Sequence, residues 1–246
     1  MYHILAGVYD KLQDINYEAF VDYYEKVFRK FGIKPELVLD LGCGTGNITV
    51  PMAKRGYDMI GLDASPEMLE IATQKSKAEN LDILYLFQDM TSFELYGTVG
   101  AMVCALDGVN YLTEDGQLED MLKLLHYYLE PGGLLIFDLN TEYKFRNILD
   151  GQTFVYDEDD AYCVWSNEYD NEEKICYFDL NFFLKNEDGS YTRQDEYQQE
   201  RVYSIEEIKE TVERCNLKCV GVFDNLTFDE PKENSDRVFV VVQKYK

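Results

Sequence analysis

Apolar positions along this 246-residue chain change their period twice. Over residues 9–31 they recur at helical spacing through Ile15, Phe20, Tyr23, Tyr24, Val27 and Phe28, which predicts one or two helices. Short apolar runs near 36–41, 57–62, 82–87, 100–105 and 133–138 then alternate with helical patterns near 46–55, 66–78 and 115–129. Strands alternating with helices predict an α/β fold, a parallel sheet covered on both faces. Pro131-Gly-Gly133 ends the helix over 115–129 and turns the chain into Leu134-Leu-Ile-Phe137, a continuous apolar run of the kind found in a fully buried strand.

After about residue 145 the period becomes two, in Phe154-Val-Tyr, Tyr162-Cys-Val-Trp, the run from Ile175 and the segment 191–203. This predicts a small antiparallel sheet with hairpin turns at 170–173 and 186–189. A helix over 204–215 and strands near 217–223 and 237–243 complete the pattern. Residues 1–145 are therefore read as one α/β domain, 146–199 as a β insertion that lids a substrate, and 200–246 as a further helix and two strands. No internal repeat or low-complexity tract interrupts them.

Composition narrows the partners. With 47 acids against 23 bases the formal charge is −24, and no Lys/Arg-rich segment is interleaved with aromatics, so nucleic acid is an unlikely substrate and anionic membranes are repelled. The acidic run 157–160 reads as a solvated loop or a cation-attracting rim. No apolar run is long enough to span a bilayer, and the N-terminus lacks the basic flank and apolar length of a signal peptide, so a cytoplasmic protein is expected. Six cysteines show no disulfide framework; Cys215 and Cys219 are helically spaced, but nothing completes a metal set around them, and no metal is expected.

The chemistry concentrates in residues 38–47, where an apolar strand ends on Asp40 and breaks into glycines at 42, 44 and 46. Such a turn brings main-chain N–H groups up to a ligand at a helix N-terminus. Asp63, at the tip of the next predicted strand, stands where an acid accepts both hydroxyl protons of a ribose. Ser65-Pro66-Glu67 then reads as a capped helix start. The spacing is Gly-x-Gly-x-Gly, and an acid two residues ahead of it is unfavourable beside a pyrophosphate but favourable beside an ammonium. A zwitterionic, cationic ligand fits better than a dinucleotide.

These blocks, with Leu62-Asp-Ala-Ser-Pro-Glu-Met-Leu69, Gln88-Asp-Met90, Ala105-Leu-Asp-Gly108 and Leu129-Glu-Pro-Gly-Gly-Leu-Leu-Ile-Phe-Asp138, resemble the class I S-adenosylmethionine-dependent methyltransferases. The likeness is dense over about 35–140. Tyr9-Asp10, Asp107-Gly-Val-Asn-Tyr111 and Arg201-Val-Tyr-Ser204 resemble a bacterial branch of that class with a β-rich insertion and no settled substrate. The resemblance implies a seven-stranded sheet whose last two strands pair antiparallel, so that 200–246 rejoin 1–145 as one Rossmann-like domain, with S-adenosylmethionine as cofactor and S-adenosylhomocysteine as product. It further implies Gly42 and Gly44 at the methionine end, Asp40 near the ammonium and the Leu106 carbonyl beside it. Asp63 falls on the ribose, Asp89 and the Met90 backbone on the adenine amine, Met68 within the cofactor set, and Tyr9 over the cofactor.

The acceptor side is less defined. Asp107, Asp138 and Asn140 fall at carboxyl ends of strands, where such sheets bind ligands, and are the candidates for a base. His3 and His126 are further titratable groups, with packing the commoner role for a helical histidine. No Asn/Asp-Pro-Pro-Tyr turn is present, and Cys104 inside an apolar strand argues against a covalent cysteine mechanism. Trp165, Glu168, Tyr197 and Arg201 of the insertion are candidates for contact with a small-molecule acceptor, by nitrogen or oxygen; they read equally well as the insertion's own core. A nucleic-acid or protein methyltransferase of the same fold, and a non-catalytic cofactor-binding protein, are the alternatives. Oligomeric state is not encoded in these patterns.

Overall fold

The computed structural model describes Asp10 and residues 15–246. Helix α1 (Tyr17–Phe31) starts on Asn16, whose side chain accepts from the Ala19 N–H at 3.1 Å, and stops at Gly32, which takes the left-handed conformation at φ 71°. Its helically spaced aromatics are buried, with Tyr23 packed on Phe239 at 4.7 Å between ring centroids.

The central sheet runs through β1 (Leu37–Leu41), β2 (Asp58–Asp63), β3 (Leu84–Phe87), β4 (Val99–Cys104), β5 (Leu129–Asn140) and two late strands. Between them come α2 (Thr49–Lys54), α3 (Pro66–Ala78) and α4 (Gln117–Tyr128). A second sheet follows from β6 (Thr153–Asp157), β7 (Ala161–Asp170), β8 (Ile175–Lys185) and β9 (Tyr191–Arg201). Helix α5 (Ile205–Arg214), β10 (Leu217–Asp224) and β11 (Arg237–Lys244) end the chain. The seven-stranded order is β10-β11-β5-β4-β1-β2-β3, and the four-stranded order is β6-β7-β8-β9.

The first five strands are parallel, while β11 lies antiparallel between β5 and β10. One face of the sheet is covered by α1 and α2 through Val21, Tyr24, Val27, Ile48 and Met52. The other is covered by α4 and α5 through Met121, Leu122, Leu125, Ile208 and Val212. Burial on both faces explains why β4 reads as an unbroken apolar run and is buried at every position. One boundary departs from expectation: β5 begins at Leu129, and Pro131-Gly-Gly133 lies inside it as a bulge with Gly132 at φ 82°.

The reversal of β11 sets Arg237 opposite Asn140, so the start of this strand reaches the edge where the parallel strands end. The small sheet is carried over that same edge. Asn110, fully buried, joins its two attachments: the side chain donates to the Asn140 carbonyl at 3.3 Å and the Arg201 carbonyl at 2.8 Å, and accepts from the Asn140 N–H at 3.0 Å. Met68 and Ile71 of α3 pack with Phe145 against the inner face of the small sheet through Cys163, Phe178 and Leu180.

Candidate active site

A cavity of about 850 Å³ lies between the carboxyl edge of the large sheet and the inner face of the small one. Its walls include eight of the nine residues expected to hold a cofactor: Asp40, Gly42, Gly44, Asp63, Met68, Asp89, Met90 and Leu106. Tyr9, the ninth, lies outside the described residues, as does His3. Asp107 and Asn140 line the cavity; Asp138 lies behind that wall. Trp165 and Tyr197 line it as well, whereas Glu168 is exposed on the outer face of β7, and Arg201 turns to Asp115 and Glu207 at 2.9 and 3.0 Å.

The glycine turn is built around Asp63. Its Oδ2 accepts from the Gly44 N–H at 2.8 Å and its Oδ1 from the Ser65 N–H at 2.8 Å, tying the loop after β1 to the start of α3. Each oxygen keeps a lone pair for a ligand hydroxyl. Gly44 adopts φ 53°, and a Cβ there would meet nothing within 4 Å, so the backbone itself presents an open face to the cavity. Gly46, at φ 80°, has the opposite reason to be glycine: a Cβ would stand 3.1 Å from both the Ala72 Cβ and the Tyr85 hydroxyl.

Asp40 is 1% exposed, with Thr49 Oγ1 donating to its Oδ2 at 2.6 Å. Burial raises its carboxyl to about 7, the Thr49 bond opposes the shift, and the Asp63 charge adds to it. A buried carboxyl without a cationic partner among the described residues is the environment that a ligand ammonium would complete. Asp89 Oδ1 accepts from the backbone N–H and hydroxyl of Thr91 at 2.7 and 2.6 Å, which fixes the turn after β3.

Leu106 and Asp107 both take positive φ, at 57° and 60°, directly after β4. Asp138 holds them there, its Oδ1 accepting from the Leu106 N–H at 2.8 Å and its Oδ2 from the Asp107 N–H at 3.0 Å. Arg237 bridges the two acids, bonding Asp138 through Nη1 and Asp107 Oδ1 through Nη2 at 2.6 Å. Burial pushes Asp107 upward, but the Arg237 and Lys144 charges outweigh it and hold the carboxyl below its ordinary value. Asp138 stays above its ordinary value, burial dominating over Arg237.

Two wall residues were not anticipated. Arg237 is invisible to a strand-end search because it opens a strand; only the antiparallel direction of β11 brings it to this edge. Glu200 is 3% exposed on β9, and Asn140 Nδ2 donates to its Oε2 at 2.8 Å. Burial and the Asp107 charge raise it well above a normal carboxyl. Among the described residues no cluster of three His, Cys, Asp or Glu is placed to hold a metal; Cys215 and Cys219 turn to the Glu119 and Gly221 carbonyls.

A family model described as a methyltransferase domain matches residues 38–133. Over 250 residues, the full chain and 98% of its relative, the sequence is 32% identical to YqeM of Bacillus subtilis (strain 168), which bears a provisional methyltransferase name. A crystal structure of an S-adenosylmethionine-dependent methyltransferase from Clostridium acetobutylicum ATCC 824 superposes with a TM-score of 0.89 at 27% identity, covering 100% of this chain and 99% of that one. The chain belongs to the class I S-adenosylmethionine-dependent methyltransferases. A sugar N-methyltransferase, KedS8 from Streptoalloteichus sp ATCC 53650, shares the methyltransferase fold at a TM-score of 0.78 and 17% identity, covering 98% and 92% of the two chains. The methyltransferase uses S-adenosylmethionine, and the residues around Asp40, Gly44 and Asp63 suit it: a buried anion for its ammonium, an open backbone face, and a carboxylate for its ribose.

Proposed function

We propose that this methyltransferase transfers the methyl group to a nitrogen or oxygen of a small-molecule acceptor held beneath the small sheet. The observation that carries the reading is the cavity itself. At about 850 Å³ it falls within the range of pockets that engulf small ligands, and its far wall is the inner face of β7, β8 and β9. KedS8, a sugar N-methyltransferase by its description, is a protein of this fold that acts on a small molecule. The charge of −24 argues against a polyanionic substrate.

When bound, S-adenosylmethionine supplies an electrophilic methyl group on a sulfonium, and the chain's residues do the rest by binding and orientation. In this reading Asp40 and the Leu106 carbonyl hold the ammonium, Gly42 and Gly44 approach the methionine backbone, and Asp63 takes the ribose hydroxyls. Asp89, the Met90 backbone and Met68 hold the adenine. Residues 146–199 act as the acceptor-bearing module on the domain formed by 1–145 and 200–246. Trp165 stands on the acceptor side and Tyr197 at its exposed rim; Glu168 and Arg201 have no part there. Asp138 positions the turn after β4, with its oxygens committed to two N–H groups and Arg237. Asp107 remains to face the acceptor, since Asn140 has its Nδ2 on Glu200 and its Oδ1 under Lys144. No helix among the described residues is long and apolar enough to cross a membrane. Six unpaired cysteines support a reducing, cytoplasmic setting.

The test is transfer of labelled methyl from S-adenosylmethionine into fractionated bacterial extract. Label is expected in the fraction of small molecules; label confined to RNA or protein would refute the reading.

A further inference from the structure

Beyond Leu106, the cavity wall holds a chain of polar side chains drawn from separate elements. Arg237 Nη2 bonds Asp107 Oδ1 at 2.6 Å, the Asp107 and Glu200 carboxyls hydrogen-bond each other, and Asn140 Nδ2 donates to Glu200 Oε2 at 2.8 Å. Lys144 Nζ donates to Asn140 Oδ1 at 2.7 Å. Two carboxyl groups bond to each other only when one carries a proton. Arg237 lies against Asp107, while Glu200 is buried with an uncharged donor as its other partner. The proton therefore resides on Glu200, and Asp107 remains the anion of the pair.

A second observation points to a polar ligand in the same cavity. Asn167, 5% exposed, uses its Nδ2 on the Gln152 carbonyl at 3.0 Å and leaves Oδ1 buried without a partner. Trp165, two positions earlier on the same face of β7, leaves Nε1 buried and unpartnered. Both residues wall the cavity. An unsatisfied acceptor and an unsatisfied donor two residues apart on one strand face are costly unless a polar molecule meets them.

We propose that Asp107, with Glu200 as its protonated positioning partner, takes the proton from an amine or hydroxyl acceptor whose other polar groups are met by Asn167 and Trp165. The inference rests on the small-molecule reading above. The acceptor's lone pair forms the bond to the methyl carbon as the carbon–sulfur bond breaks with its electrons left on sulfur. The electrons of the acceptor's N–H or O–H bond stay on that atom, and its proton passes to Asp107. A positive sulfonium and a carboxylate thus become a neutral thioether and a carboxylic acid. Glu200 keeps its own proton throughout and holds Asp107 in line; Asn140 and Lys144 hold Glu200, while Arg237 and Asp138 fix the backbone and the charge of Asp107.

The test uses the full chain, labelled methyl donor and a pooled extract of small molecules. Asp107→Asn is expected to lower transfer at least about tenfold, less than a base matched to neutral pH contributes because Arg237 holds its carboxyl low, with S-adenosylhomocysteine affinity by calorimetry within about threefold. Glu200→Gln, which keeps a neutral donor beside Asp107, is expected to retain about tenfold more transfer than Glu200→Ala. Independently of turnover, the infrared spectrum of the ligand-free protein at pH 8 should contain a protonated-carboxyl band that Glu200→Gln removes. Asp107→Asn active within about threefold, equal rates for the two Glu200 variants, or a band unaffected by Glu200→Gln would each overturn the assignment. A wild-type protein that binds S-adenosylhomocysteine yet labels no small molecule would instead refute the reading beneath it.

Discussion

Cofactor binding should release a proton from Asp40. In the ligand-free protein its carboxyl is raised to about 7 by burial, against the Thr49 bond and aided by the Asp63 charge. At pH 6 it is therefore about nine-tenths protonated, and at pH 8 about one-tenth. An ammonium seated against it requires the carboxylate. S-adenosylhomocysteine should thus release close to one proton at pH 6, and its affinity should fall about tenfold between pH 8 and pH 6. Methylthioadenosine carries the same nucleoside and sulfur but no ammonium, so any shared response from Asp63 cancels between the two ligands. Titration calorimetry in two buffers of different ionisation enthalpy counts the protons directly. Asp40→Asn should abolish the difference and weaken S-adenosylhomocysteine by about 10- to 100-fold, the scale of a charged hydrogen bond, with little effect on methylthioadenosine. Equal proton release by the two ligands at pH 6 would refute the argument.

The same group has a signature in the ligand-free protein. Its folded value lies above the ordinary 3.8, so its stabilising contribution is full below about pH 4 and is lost as pH rises through 7. The loss amounts to at most about 4 kcal/mol. Asp40→Asn should therefore gain melting temperature relative to the parent between pH 5 and pH 8.

Arg237→Met leaves Asp107 and Asp138 buried without their cation and should cost about 3–5 kcal/mol by urea denaturation at pH 7, with a smaller penalty in acid; a loss under about 1 kcal/mol would argue that water reaches these carboxylates. Gly44→Ala and Gly46→Ala should separate function from packing. Each forces an alanine into positive φ at about 1–2 kcal/mol, but only Gly46→Ala also presses on Ala72 and Tyr85, so it should melt lower, while Gly44→Ala should lose more than about tenfold in S-adenosylhomocysteine affinity. Asp10→Ala removes an acceptor shared by Thr45 and Asn47 at 2.7 Å and an ion pair with Lys75 at 2.5 Å, beside the glycine turn. It should weaken the cofactor about threefold in calorimetry with little change in melting temperature, since the pair is partly exposed; unchanged affinity would detach this latch from the site.

The parallel strands and the cavity edge on which Asp40 and Asp63 stand were legible in sequence because local rules agree there. Buried runs end on turn residues, and Asp40 and Asp63 stand at strand tips where backbone N–H groups converge. The acceptor side was less legible for two physical reasons. Along β9 the sequence Glu196-Tyr-Gln-Gln-Glu200 invites the usual assignment of the aromatic inward and acids outward. The fold does the reverse: Tyr197 is 69% exposed at the rim, and Glu196, Gln198 and Glu200 are buried. Local rules fail in this way where function overrides packing. Arg237 escaped because its position depends on the direction in which β11 is threaded, a long-range property that no window around residue 237 contains. Asp138, conversely, looked like chemistry from its strand-end position and is engaged instead in holding two left-handed residues.

The tie made by Asn110 bears on how such an enzyme changes substrates. The chain leaves the large sheet at Asn140 and returns at Arg201, and one buried amide grips both carbonyls. The segment between those points is also coupled to the large domain by Met68 and Ile71 of α3 and by the Glu200–Asn140 bond, so the freedom to vary lies in the side chains and turns away from these contacts. If the small sheet bears the acceptor, as proposed, selectivity for it is separable from the machinery that supplies the methyl group. Transplanting residues 146–199 from a relative, with Asn110, Lys144 and Glu200 retained, should carry acceptor preference with the graft while leaving Asp40 and Asp63 in their places.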